Sequence, residues 1–170
     1  MTRILFVHGH KETHETIRRS LYAVYPKWRV QFAIDTIAAL ERLAAETFDA
    51  IVVDMDIPDV DGSALLTAVA QTRPTVLRVA VSGRYDRMAA YTTSTSSHMV
   101  LSKPFLALQF ADMLEPALVV HRFELQRANV WLEDMPDGFD SAIAETLPNE
   151  VRRHLYRRRM MRTDTQRKAS

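Results

Sequence analysis

His8, Asp54, Ser82 and Lys103 stand at the carboxyl ends of four separate apolar, strand-like runs: Ile4–Val7, Ala50–Val53, Val76–Val81 and Met99–Leu101. An aspartate carboxylate delivered in this way can act as a nucleophile toward a phosphoryl group, provided that nearby cations neutralise the repulsion between the two anions. Residues 50–62, Ala-Ile-Val-Val-Asp-Met-Asp-Ile-Pro-Asp-Val-Asp-Gly, carry the most information. Pro58 and Gly62 punctuate a loop, and Asp61 is placed to cap the helix that follows. Asp59 and Asp61 read as turn and cap rather than as ligands. The alternative reading of Asp54 is structural, a strand-end carboxylate in an ion pair with Lys103.

His8-Gly9-His10 and His14 raise a second chemistry. Imidazole is a poor ligand for Mg²⁺ but suits Zn²⁺ and other transition ions. No second cluster of histidines and acids completes such a site, so a metallohydrolase is disfavoured. We assign no metal ligands and no catalytic residues, and the chain is not read as an enzyme.

The elements that must position these residues alternate. Val30–Ala33 and the four runs named above, the third strand being Ile51–Val53, give five strands. Ile17, Leu21 and Val24 mark one helical stripe, Ile37, Leu40, Leu43 and Ala44 a second with Asp35 or Thr36 as N-cap, and Leu65 and Val69 a third. A short helix is expected over Arg84–Tyr91. From Phe105 onward Leu108, Met113, Leu114, Leu118, Val119, Phe123 and Leu125 repeat at helical spacing, and Pro116 is expected to kink or break that helix. Pro136-Asp137-Gly138 signals a turn, and Ile143, Leu147, Val151 and Leu155 recur every fourth residue beyond it. The alternation predicts an α/β fold with a flavodoxin-like, doubly wound, five-stranded parallel sheet of order 2-1-3-4-5 and a helical C-terminal extension. Residues 1–121 form the main domain, 122–162 the extension and 163–170 a disordered basic tail.

The strand, the loop and the Pro58 and Asp61-Gly62 spacing resemble the receiver domains of bacterial response regulators over residues 3–120. The resemblance implies that Asp54 is the phosphoacceptor, that Ser82 donates to a phosphoryl oxygen, and that Lys103 pairs with Asp54 or its phosphate. It implies a cis bond between Lys103 and Pro104. It also implies a Mg²⁺ ion held by acids after the first strand, by the phosphoacceptor and by the backbone carbonyl of residue 56. His8 and Gly9 stand where those acids belong, so no Mg²⁺ cofactor is expected. A protonated His8 would supply positive charge in its place, and the Asp56 carboxylate adds negative charge near an incoming phosphate. Val100 stands where many receivers carry an aromatic switch residue. His98-Met99-Val100-Leu101-Ser102-Lys103-Pro104 is similar to receivers fused to HD-related output domains. The family reading is a degenerate, pseudo-receiver signalling protein that works through protein–protein contact with a histidine kinase or a downstream effector. Its reading surface is formed by the Arg84–Tyr91 helix, the fifth strand and the helix after it.

The 170 residues contain no cysteine, which excludes disulfides and thiolate chemistry and fits a cytoplasmic protein. No signal peptide or membrane span is apparent. The net charge of +1 conceals an asymmetry: residues 151–170 hold eight of the 22 basic side chains and one of the 21 acids. A tail of +7 therefore follows a body of −6. Docking of the last helix on the body or on a second copy, giving a homodimer, is the favoured reading. Contact between the Arg152–Arg159 cluster and nucleic acid or another anionic surface is the alternative. A phosphorylation-driven switch at Asp54 is the third.

Overall fold

The computed structural model describes residues 1–58, 61–84 and 97–133. Five parallel strands, β1 (Thr2–Val7), β2 (Trp28–Ala33), β3 (Ala50–Asp54), β4 (Leu77–Ser82) and β5 (Met99–Ser102), form one sheet of order β2-β1-β3-β4-β5. Four helices accompany them among the described residues: α1 (Lys11–Val24), α2 (Thr36–Ala45), α3 (Gly62–Thr72) and α4 (Ala107–Glu133). The expected Arg84–Tyr91 helix falls largely outside the described residues, as do Asp59, the Pro136–Gly138 turn, the Ile143–Leu155 helix and the 163–170 tail. Among the described residues no helix is long and apolar enough to cross a membrane.

The strands form where the sequence runs continuously apolar, as it must when both faces of a parallel sheet are covered. Side chains alternate between two cores. Ile4, Phe6, Ala50, Val52, Val79 and Val81 point to one face, where Leu21 of α1 and Phe110, Ala111, Leu114 and Leu118 of α4 cover them. Leu5, Val7, Ile51, Val53 and Ala80 point to the other, beneath Ala39 and Leu43 of α2 and Leu65, Leu66 and Val69 of α3. Aspartates begin two of the helices: Asp35 accepts from the Ala38 N–H at 2.7 Å and Asp61 from the Ala64 N–H at 2.9 Å. Each satisfies a donor that the first helical turn leaves without a partner. Gly62, the first residue of α3, sits close against two side chains. A Cβ there would lie 2.7 Å from Met55 Sδ and 3.1 Å from Val53 Cγ1.

Two helix faces differ from the sequence reading. On α2 the buried positions are Ala39 and Leu43, while Ile37, Leu40 and Ala44 face solvent. A small alanine lets the helix close on the sheet, and the larger apolar side chains are left on its outer face. On α4 Leu108 and Met113 are exposed, and Phe110 and Ala111 take the buried positions beside Leu114 and Leu118. Phe110 fixes this choice through ring contacts with Phe6, Trp28 and Phe105 at centroid distances of 5.4, 6.5 and 5.4 Å. The Trp28 indole N–H also donates to Glu115 Oε2 at 3.1 Å, tying the start of β2 to α4. Of the kink or break expected at Pro116, the break does not occur: α4 runs on to Glu133. One proline removes a single helical hydrogen bond, and the buried Leu114 and Leu118 on either side hold the turn in place.

Contacts divide the chain within α4 into units of residues 1–118 and 119–170. In the second, the described side chains Val119, Val120 and Phe123 are all more than half exposed.

Replacing Phe110 with alanine is expected to lower the unfolding free energy by about 3–5 kcal/mol, through lost burial and a residual cavity. Leu108→Ala, on the exposed side of the same helix, should change it by no more than about 0.5 kcal/mol. Urea unfolding midpoints of the two variants check this assignment of the α4 faces.

Candidate functional site

The register builds the site. Val7 pairs with Val53, so the next residues, His8 and Asp54, emerge side by side from β1 and β3. Ser82 pairs with Ser102 at the ends of β4 and β5, which brings Lys103 to the same edge of the sheet. The Lys103 N–H donates to the Ser82 carbonyl at 2.9 Å, and the Met55 N–H to the Val81 carbonyl at 2.8 Å, so the β-ladder continues into both loops. The peptide bond between Lys103 and Pro104 is cis.

Asp54 is buried. Its Oδ1 accepts from Lys103 Nζ at 2.6 Å and from the Asp56 N–H at 3.0 Å, while Oδ2 lies 3.5 Å from His8 Nε2. The Asp56 carboxylate is nearer the surface and has more donors. Ser82 Oγ donates to its Oδ1 at 2.7 Å, and the Gly83 N–H and Lys103 Nζ donate to its Oδ2 at 2.6 and 3.2 Å. Burial by itself raises the Asp56 pKa, but the bonds from Gly83, Ser82 and Lys103 outweigh it and hold the group below the usual carboxylate value. One ammonium thus serves two carboxylates.

The His8 ring is held in one orientation. The His10 N–H donates to His8 Nδ1 at 3.3 Å, which leaves the ring proton on Nε2, facing Asp54. His14 Nε2 donates to the His8 carbonyl at 2.7 Å, and the His14 ring stacks on Phe32 at 4.4 Å. Burial, with smaller contributions from Lys103 and His14, lowers the His8 pKa more than the Asp54 carboxylate and the bond to the His10 backbone raise it. The lowered value reduces the positive charge that His8 carries at neutral pH.

Residues in this arrangement do not fit the Mg²⁺ ion that the resemblance implies. Mg²⁺ requires close to octahedral coordination by oxygen. Here an imidazole N–H faces one oxygen of Asp54, and an ammonium and an amide N–H occupy the other. Position 9 has no side chain, and a Cβ there would come within 3.0 Å of Ile57 Cγ2. Among the described residues, no group of three or more His, Asp or Glu side chains is placed to hold a metal ion.

Sequence reading found Asp54, Ser82 and Lys103 through their strand-end positions, and the structure brings all three to one edge. The resemblance has Ser82 donate to a phosphoryl oxygen; in the structure its hydroxyl proton goes to Asp56. Sequence reading missed the Gly83 N–H. The available signal was the acid two residues after Asp54 combined with Ser-Gly at the end of β4. Arg78, fully buried in β4, was missed as well; its backbone N–H donates to His98 Nδ1 at 2.9 Å.

Residues 4–115 match the family model of the response regulator receiver domain. Over 169 residues the chain is 27% identical to response regulator MprA of Mycobacterium ulcerans (strain Agy99), covering 95% of this chain and 68% of that one. Its fold is similar to the signal receiver domain of an HD domain-containing protein from Pseudomonas fluorescens Pf-5, with a TM-score of 0.65 and 26% identity over 74% of this chain and 93% of the other. It is similar too to a CheY-like response regulator receiver domain protein from Methanospirillum hungatei JF-1, with a TM-score of 0.65 and 19% identity over 73% and 98% of the two chains.

The lowered His8 pKa sets the sign of a pH effect. The unfolded chain takes up a proton near the ordinary value of 6.5, and the folded chain does so only at lower pH. The His8 contribution is therefore complete above 6.5 and is lost as the pH falls through the window below it. Paired urea titrations of the wild type and His8→Gln between about pH 7 and about pH 5 should show the wild type losing stability faster on acidification. Parallel curves would remove His8 as the source.

Proposed function

The chain belongs to the response regulator receiver family of two-component signalling, and on that premise we propose that it is an atypical receiver that signals without conventional Mg²⁺-dependent phosphorylation of Asp54. One observation carries this reading. The side of Asp54 where a metal would be clamped presents the His8 Nε2–H and the bare backbone of Gly9. Without a divalent cation, the approach of a phosphate dianion to two carboxylates is opposed by charge, and among the described residues Lys103 is the cation in contact with both. Asp54 is retained as the phosphoacceptor position, with Ser82 and Lys103 beside it. In this proposal the chain is not an enzyme, needs no cofactor and acts in the cytoplasm through contact with a histidine kinase or a downstream effector.

The second part of the proposal is a homodimer formed through the C-terminal helical residues. Its support is the exposure of Val119, Val120 and Phe123 within five residues of α4. An apolar run of that kind lowers its free energy when a second copy covers it.

Intact-mass spectrometry after acetyl phosphate treatment, with and without Mg²⁺, is expected to show no added phosphoryl group on the wild type. An addition that Asp54→Ala abolishes would instead establish a phosphorylation-driven switch. Light scattering on the full chain should give a dimer mass for the wild type and a monomer mass for a Val120→Asp, Phe123→Asp variant. A monomeric wild type would refute the dimer.

A further inference from the structure

Three donors at the sheet edge converge on one group. The Ser82 hydroxyl, the Gly83 backbone N–H and the Lys103 ammonium come from the ends of two strands, and all three point to the Asp56 carboxylate. A hydroxyl, a backbone N–H and an ammonium set around one point form a donor set suited to a compact oxyanion. Proton counting shows how fully it is used. A serine hydroxyl has one proton and a backbone amide has one. Both are already given to Asp56, at 2.7 and 2.6 Å.

We propose that the Asp56 side chain is a built-in substitute for the phosphoryl group, occupying the oxyanion subsite beside Asp54 and keeping Ser82, Gly83 and Lys103 permanently engaged. The inference rests on the receiver reading of Ser82 and Lys103 given above, and it names what regulates that site: an internal anion in place of a transferred one. The carboxylate follows Asp54 by two residues, and its own N–H donates to Asp54 Oδ1 at 3.0 Å. Ser82 Oγ, while donating to Asp56, accepts from the Arg84 N–H at 3.1 Å. The anion is thereby linked to the backbone leaving β4, and through Lys103 to the end of β5. A phosphoryl group on Asp54 would have to displace Asp56 from both single-proton donors before it could engage them.

Two measurements on the full-length chain test this, read at the Gly83 amide in ¹⁵N spectra. The first is hydrogen exchange. Gly83 should exchange about ten- to a hundredfold faster in Asp56→Ala than in the wild type, the loss expected for a bond to a charged acceptor. Asp56→Asn keeps the side-chain volume and should fall between them, while the remaining amides confirm the fold. Equal Gly83 exchange in all three proteins would overturn the proposal. The second is titration with inorganic phosphate. Asp54→Ala, Asp56→Ala, with the donors released and both anions gone, should show saturable Gly83 shifts, at an affinity at least about tenfold above that of Asp54→Ala alone. Equal binding by the two variants would show that Asp56 does not occupy the subsite. Binding by neither would show that the three donors are not an oxyanion site. These outcomes do not depend on whether acetyl phosphate modifies the wild type, so this inference and the phosphorylation reading can fail separately.

Discussion

A carboxylate placed at the end of a strand buried on both faces must be neutralised by groups within reach, and here a single ammonium does this for two. Lys103 is 2.6 Å from Asp54 and 3.2 Å from Asp56. It can stand there because the Lys103 N–H extends the β4–β5 ladder by one more bond to the Ser82 carbonyl. The side chain thus starts from a fixed backbone position rather than from a free loop. Taking charge out of water costs several kcal/mol per ion unless hydrogen bonds compensate, and the two carboxylates together accept five hydrogen bonds, with the His8 ring close by. The pairing of β1 with β3, the pairing of β4 with β5 and the turn after Asp54 all meet at this cluster.

Much of this arrangement was legible in the residues. A strand covered on both faces has to be apolar throughout, so its last residue is marked by the first polar side chain. His8, Asp54 and Ser82 are announced in this way, and the alternation of strands and helices implies a parallel sheet, whose order is that of the flavodoxin-like fold it resembles. Asp35 and Asp61 are equally readable, because a short acceptor just before an apolar helical stripe has little else to do than cap it. The two-core division of β1, β3 and β4 then follows from period-two alternation alone.

What could not be read has a common cause: an excess of apolar side chains over the faces available to bury them. On α2, Ile37, Leu40 and Leu43 all satisfy helical spacing, and only the closeness of the sheet selects Ala39 and Leu43. On α4 the same degeneracy hid Phe110 behind Leu108 and Met113, since a Trp28 and Phe6 pocket for the ring exists only after the sheet is assembled. Asp56 is a different case. The residue was visible, but the direction of a side chain in a turn depends on which donors surround it. Those donors arrive from β4 and β5, far away in sequence.

The Cγ2 methyl of Ile57 lies 3.0 Å from where any side chain at position 9 would begin, closer than packed carbon atoms ordinarily rest. A side chain at position 9 therefore requires that methyl to give by a few tenths of an ångström, so the room at the end of β1 is set from the loop that follows β3.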